Sequence, residues 1–262
     1  MSVKHSGEAD AAVRGGADII DAKDPSRGPL AALDPDQVGV IARRVPPQIP
    51  FSVALGDPAS GAEAARLITE LPVRRRAAAT YAKVGFAGVT TGNGALALLR
   101  AAVDAGSRHP AAISVIAVAY ADAETDLLNL FAIADLAAAA GAAGVLADTI
   151  RKEAGGLAQA VPQDRLRGWI GAARHRGLSV ALAGKLDVPD FPWVRMLDPT
   201  IIGVRGAACV GGRGGAISSA KVRRLSAAVR DEAEPDRSLA DHQSLEPGNQ
   251  LLHVANYIST GS

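Results

Sequence analysis

Residues 112–149 read AISVIAVAYADAETDLLNLFAIADLAAAAGAAGVLADT, and their rhythm decides the fold. The apolar, branched run from Ala112 to Ala119 predicts a strand. Asp126 to Ala140 has the alanine-rich content of a helix, and Gly144 to Thr149 is a second short apolar run. Strand, helix, strand in that order is the signature of a crossover between parallel strands. The block Leu127 to Ala147 has the length of a membrane span, but it carries Asn129, Asp135 and Gly141 and divides into helix and strand. Spans need about 20 residues with few or no charges, so no membrane role is expected.

Outward from this unit the same alternation continues. Further strands are expected at Asp18 to Lys23, Phe51 to Gly56, Tyr81 to Gly85, Leu178 to Gly184 and Ile201 to Arg205. Helices are expected at Gly7 to Gly15, Pro35 to Arg44, Ser60 to Ala78, Gly94 to Ala105, Gln163 to Arg176 and Ser219 to Asp231. With a stub at Met1 to Lys4, the strands number eight. The length of 262 residues suits a (β/α)8 TIM-type barrel, which typically needs about 250. An open doubly wound sheet is the alternative, and periodicity does not separate the two. Met1-Ser2-Val3-Lys4 is barely long enough to pair, so the first strand is expected to be truncated or a stub. The barrel domain is expected over residues 1–231. Residues 232–262, polar and containing Pro235 and Pro247, are expected to form a flexible C-terminal tail with one apolar turn at Leu251 to Ile258.

Hydrophobic residues make up 48% of the chain and aromatics only 3%, so the core must be built from Ala, Val, Leu and Ile. Small and branched side chains suit helices packed on a buried parallel sheet. Twenty-eight basic against 27 acidic residues give a net charge of +1, which argues against nucleic-acid or membrane-surface partners. A homo-oligomer is compatible with this balance. One cysteine, Cys209, excludes an internal disulfide and fits a reducing cytoplasm. Met1-Ser2-Val3-Lys4-His5 leads straight into a polar helix pattern, so no secretory signal is expected.

Charges sit where strands should bury themselves. Residues two apart in a strand share a face. In Ile19-Ile20-Asp21-Ala22-Lys23, Ile20 and Ala22 face the helices while Asp21 and Lys23 point into the barrel. Tyr81-Ala82-Lys83-Val84-Gly85 turns Lys83 inward in the same way. Val145-Leu146-Ala147-Asp148-Thr149 turns Asp148 inward, with Lys152 following in the loop. Three amines and two carboxylates thus converge at the C-terminal strand ends, the face where barrel enzymes do chemistry. Buried ion pairs of purely structural use are the competing reading. Desolvating each ion costs several kcal/mol, however, and apolar side chains usually serve stability as well. Burial and neighbouring cations both favour a neutral amine, and a neutral amine attacks a carbonyl to form an imine. Lys23, with Lys83 and Lys152 nearby, has that environment, and Asp21 and Asp148 can position the ammonium groups and shuttle protons. This reasoning does not choose between Lys23 and Lys83 as nucleophile.

The last strands run into glycine-rich loops: Gly184-Lys185, Gly203-Val204-Arg205-Gly206 and Gly211-Gly212-Arg213-Gly214-Gly215. Loops after the seventh and eighth strands commonly hold a phosphate, so Gly184, Lys185, Arg205 and Gly206 are the expected phosphate-binding residues. Gly92-Asn93-Gly94 lacks the third glycine of a dinucleotide fingerprint. His5, His109, His175, His242 and His253 show no metal-ligand spacing and read as exposed polar residues. No metal and no cofactor are expected, and Cys209, without a histidine partner, reads as an incidental thiol.

Several segments resemble the (5-formylfuran-3-yl)methyl phosphate synthase family. They are Gly15-Gly16-Ala17-Asp18-Ile19-Ile20-Asp21-Ala22-Lys23-Asp24-Pro25, Tyr81 to Gly85, Tyr120-Ala121-Asp122-Ala123, and Ala147-Asp148-Thr149 with Lys152. Ala181-Leu182-Ala183-Gly184 and Gly203-Val204-Arg205-Gly206-Ala207-Ala208-Cys209 continue the match, in order, from about residue 6 to residue 230. The resemblance implies a lyase-type barrel that condenses two molecules of glyceraldehyde 3-phosphate into 4-(hydroxymethyl)-2-furancarboxaldehyde phosphate, with loss of phosphate and water. That product serves methanofuran-type carriers of one-carbon metabolism. The resemblance also implies that Lys23 is the Schiff-base lysine and Lys83 the proton acceptor. Asp21, Asp148 and Lys152 would complete the catalytic set, with Asp122 among the substrate-binding residues. Two features depart from the family pattern. Its members carry more apolar residues before the Ser-Val pair, and the tail is longer than the domain requires. Another Schiff-base aldolase for a phosphorylated sugar, or a catalytically silent barrel that binds a phosphorylated metabolite, are the alternative readings.

Overall fold

Eight strands pair in parallel in the order they occur along the chain, β1 through β8. They are β1 (Ser2–Val3), β2 (Ile20–Ala22), β3 (Phe51–Ala54), β4 (Thr80–Val84), β5 (Ile113–Tyr120), β6 (Gly144–Asp148), β7 (Ser179–Leu182) and β8 (Ile201–Ile202). Each is followed by a helical crossover: α1 (Ser6–Arg14), α2 (Pro35–Arg44), α3 (Gly61–Thr69), α4 (Gly92–Arg108) and α5 (Leu130–Ala140). After β6 come α6 (Leu157–Ala160) and α7 (Gln163–His175), after β7 comes α8 (Phe191–Leu197), and after β8 comes α9 (Ser219–Arg230). This computed structural model describes residues 1–74, 76–123, 125, 128–151 and 155–231. A doubly wound sheet would reverse its strand order; this one does not, and it curls into a TIM-type barrel.

The two edges meet at β1 and β8. Among the described residues they share one backbone hydrogen bond, from Ser2 N–H to Val204 O at 3.3 Å. A side chain reinforces it: Arg205 Nη1 donates to Ser2 O at 2.9 Å and to Glu8 Oε2 at 2.8 Å, and Nη2 donates to Glu8 Oε1 at 3.1 Å. The first strand is short, as expected, with two residues in register with Asp21 and Ala22.

Side-chain parity sorts the core into two layers. Ile20, Ala22, Val53, Ala82, Val84, Val145 and Ala147 pack outward against the helices. Leu30, Ala54, Ile116, Val118, Tyr120 and Leu146 fill the barrel. Burying each larger side chain contributes about 1.5–3 kcal/mol. The helices start and stop on local chemistry. Asn129 caps α5 by accepting from Ala132 N–H at 3.0 Å, and Gly141 ends it in the left-handed region at φ 76°. The expected start of that helix at Asp126 therefore moves to Leu130, although Asp126 itself lies outside the described residues.

Two expectations fail for identifiable reasons. The helix expected from Ser60 to Ala78 ends at Thr69. Pro72 has no N–H to give, and its ring would clash with the carbonyl of Ile68. His109 is buried rather than exposed: Nδ1 accepts from Ala111 N–H at 3.0 Å, and Nε2 lies 3.1 Å from Leu71 O. No described helix is long and apolar enough to cross a membrane.

Candidate active site

A cavity of about 920 Å³ opens at the C-terminal strand ends and follows the β8–β1 seam down the barrel. Asp21 and Lys23 reach it from β2 and the residue after it, Lys83 from β4 and Asp148 from the end of β6. All four are buried, as the strand parity required. Lys152 lies outside the described residues.

Asp21 and Lys83 form the closest pair, with Lys83 Nζ donating to Asp21 Oδ2 at 2.6 Å. Ser2 Oγ donates to the same oxygen at 2.9 Å, so β1 supports the pair directly. The other oxygen, Asp21 Oδ1, is buried without a hydrogen-bond partner among the described residues. Burial works to raise the Asp21 carboxyl, but the charges of Lys83 and then Lys23 outweigh it and hold the group at about 2. Among the described residues Lys23 has no such ion pair; its Nζ donates to Pro29 O at 3.0 Å. Burial, and next the Lys83 charge, pull the Lys23 amine down to about 8. Asp148 pulls it the other way and lies at the same mouth, its Oδ1 accepting from Thr149 N–H at 2.8 Å. Lys23 is thus a buried amine whose pKa is lowered, whereas Lys83 is ion-paired with Asp21.

The expected phosphate residues divide. Gly184, Lys185 and Gly206 line the cavity, with Lys185 exposed and in the left-handed region at φ 57°. Arg205 also lines it, but its guanidinium is held by Glu8, Ser2 O and Arg213 O, which take four of its five N–H donors. Asp122 lies away from this cavity, beside a smaller hollow, where its carboxylate accepts from the N–H groups of Ile150 and Arg151, each at 2.7 Å. Cys209 is buried, its thiol donating to Arg205 O at 3.3 Å, and burial pushes its pKa up. Among the described residues, no three His, Cys, Asp or Glu side chains are grouped to hold a metal.

Sequence reasoning missed a second polar cluster at the same rim. Tyr120 O–H donates to the Asp57 carboxylate, with Oδ2 at 3.0 Å, and Ala87 N–H donates to Asp57 Oδ1 at 2.9 Å. Gly85 makes room for it: a Cβ there would stand 2.2 Å from Asp57 Oδ1. Asp57 follows β3 in Gly56-Asp57-Pro58, and a carboxylate just past a barrel strand is a signal that could have marked it. Glu8 gave no such signal, because an acidic residue in a first helical turn reads as ordinary dipole compensation.

Fold and site define a class: a TIM-type barrel whose mouth holds two buried lysines among buried aspartates. A family model described as 4-HFC-P synthase matches residues 1–226. The (5-formylfuran-3-yl)methyl phosphate synthase of Methanopyrus kandleri is 36% identical over 229 residues, covering 85% of this chain and 94% of that protein. The protein of the same name from Methanosarcina barkeri is 32% identical over 225 residues, 84% of this chain and 94% of that one. The chain belongs to the 4-HFC-P synthase family. Among solved structures, 3-hexulose-6-phosphate synthase from Salmonella typhimurium aligns with a TM-score of 0.57 at 18% identity, over 88% of this chain and 98% of that one. That likeness speaks to the fold alone.

Proposed function

We propose that this chain condenses two molecules of glyceraldehyde 3-phosphate into (5-formylfuran-3-yl)methyl phosphate, releasing one phosphate and two waters, through an imine on Lys23. The reaction needs no metal or cofactor and takes place in the cytoplasm, where it serves a methanofuran-type carrier. The observation that carries this reading is the unequal state of the two lysines. Lys83 is an ammonium held by Asp21 at 2.6 Å, while burial and Lys83 bring the Lys23 amine to about 8. One amine is ready to attack and the other is ready to give a proton.

The neutral Lys23 amine adds to the aldehyde carbon to give a carbinolamine. Lys83 gives its proton to the hydroxyl, which leaves as water, and the iminium forms. Lys83 is then a neutral amine and takes the proton from the adjacent carbon, leaving an enamine that attacks the second aldehyde. Asp21 holds Lys83 throughout, and its unpartnered Oδ1 is a spare acceptor for a substrate hydroxyl. Asp148 steadies the charge on Lys23, and Lys152 is proposed as a further cation of the same set. Elimination of phosphate and loss of two further waters complete the furan, and hydrolysis of the imine takes back the water lost in forming it and frees Lys23.

The test is incubation of purified chain with glyceraldehyde 3-phosphate, following the furan chromophore and the product mass. Furan phosphate from the wild type and none from folded Lys23→Ala is the expected result. Absence of furan phosphate from the wild type would overturn the assignment.

A further inference from the structure

We propose that Arg213 binds the phosphate of the aldehyde that reacts on Lys23. This rests on the imine reading above and names a contact that it leaves open. Two phosphorylated trioses bring two dianions into one cavity, and Arg205, the arginine that strand order favours, is already committed to Glu8.

Arg213 differs in each respect. It lines the same cavity and is half-buried. Among the described residues its guanidinium makes one hydrogen bond, a long one of 3.5 Å from Nη2 to Gly28 O, so most of its donors remain available. Its backbone, in contrast, is fixed. Residues 209–217 form a tight loop pinned by an antiparallel bridge between Cys209 and Ile217, with Val210 N–H donating to Ala216 O at 2.9 Å. Gly215 closes the loop so tightly that a Cβ there would stand 1.8 Å from Val210 O. Arg205 Nε then holds Arg213 O at 3.2 Å, so the buried Glu8–Arg205 pair fixes the base of the Arg213 side chain.

The placement relates this guanidinium to the reactive amine. Arg213 reaches Gly28 O, and Lys23 reaches Pro29 O at 3.0 Å, the next carbonyl of the same loop. The two cations therefore stand side by side, close enough for each to feel Asp148. A planar guanidinium with unspent donors beside an imine-forming amine suits bidentate binding of a phosphate carried by the same small aldehyde. Lys185, exposed on the β7 side, is left to serve the second phosphate.

Borohydride trapping on Lys23 tests this, with glyceraldehyde 3-phosphate and unphosphorylated glyceraldehyde as probes and peptide mass as the readout. Wild type is expected to label at a lower concentration of the phosphorylated aldehyde. Arg213→Gln is expected to lose roughly tenfold to a hundredfold of that preference, the worth of a charge-assisted contact. Its labelling by glyceraldehyde should fall much less, which also shows that the variant is folded. Arg213→Lys should keep part of the preference. A full wild-type preference in Arg213→Gln, or an equal fall with both aldehydes, would overturn the phosphate role while leaving the imine intact. No labelling of wild-type Lys23 by either aldehyde would overturn both readings.

Discussion

At neutral pH, Lys23 lowers the stability of the molecule that depends on it. Its amine falls from 10.5 to about 8, through burial first and Lys83 second. Between those values the unfolded chain binds more protons than the folded one, so stability rises with pH through that window and carries the full penalty below it. The penalty is about 3 kcal/mol at roughly 1.4 kcal/mol per unit, offset in part by the hydrogen bond to Pro29. Lys23→Met is therefore expected to gain about 1–2 kcal/mol in urea unfolding at pH 7 while losing turnover. A variant less stable than wild type would show that the amine is not strained. Gly85→Ala should cost about 2 kcal/mol or more, since its Cβ must displace the Asp57 carboxylate that Tyr120 holds. Thermal melts beside Gly171→Ala, where a Cβ meets nothing within 4 Å, would separate crowding from any general effect. At this scale the sequence was legible wherever period two applied: Asp21, Lys23, Lys83 and Asp148 all face the cavity as strand parity required. Arg205 was read from its place after the eighth strand, and a loop position does not report which partner the side chain meets. Its partner is Glu8, 197 residues away in the chain.

Among the elements, α1 and the loop after β8 depend on each other through that pair. Glu8 and Arg205 are both almost fully buried, with side-chain exposures of 1% and 3%. Glu8→Ala strands a buried guanidinium and is expected to cost about 3–5 kcal/mol in chemical denaturation. A loss below about 1 kcal/mol would mean that water reaches Arg205 and that the seam is less closed than its geometry implies. Element positions were read well where caps or proline mark them. The helix over Pro35–Arg44 matches the expected bounds, helped by Pro35 at its first position. They were read poorly where the signal is short or tertiary. α8 spans only Phe191–Leu197 behind Asp187-Val188-Pro189-Asp190, which reads as loop, and β8 is two residues long.

For the whole molecule, the sequence supplied eight strands in alternation with helices but not their closure. Closure depends on contacts between the two ends of the barrel, Ser2 with Val204 and Arg205, that no local pattern contains. The family match ends at residue 226 and the last described helix at Arg230, so a chain ending at residue 231 is expected to keep full furan synthesis. Loss of activity in that shorter chain would give residues 232–262 a part in the site. We propose that Lys23, among the lysines at this mouth, carries the substrate. This is tested most directly by reducing the working enzyme with borohydride in the presence of glyceraldehyde 3-phosphate and mapping the modified peptide. A single adduct on Lys23, forming faster as the pH rises toward about 8, is the predicted result. An adduct on Lys83 instead, or furan phosphate formed with no lysine trapped, would contradict it.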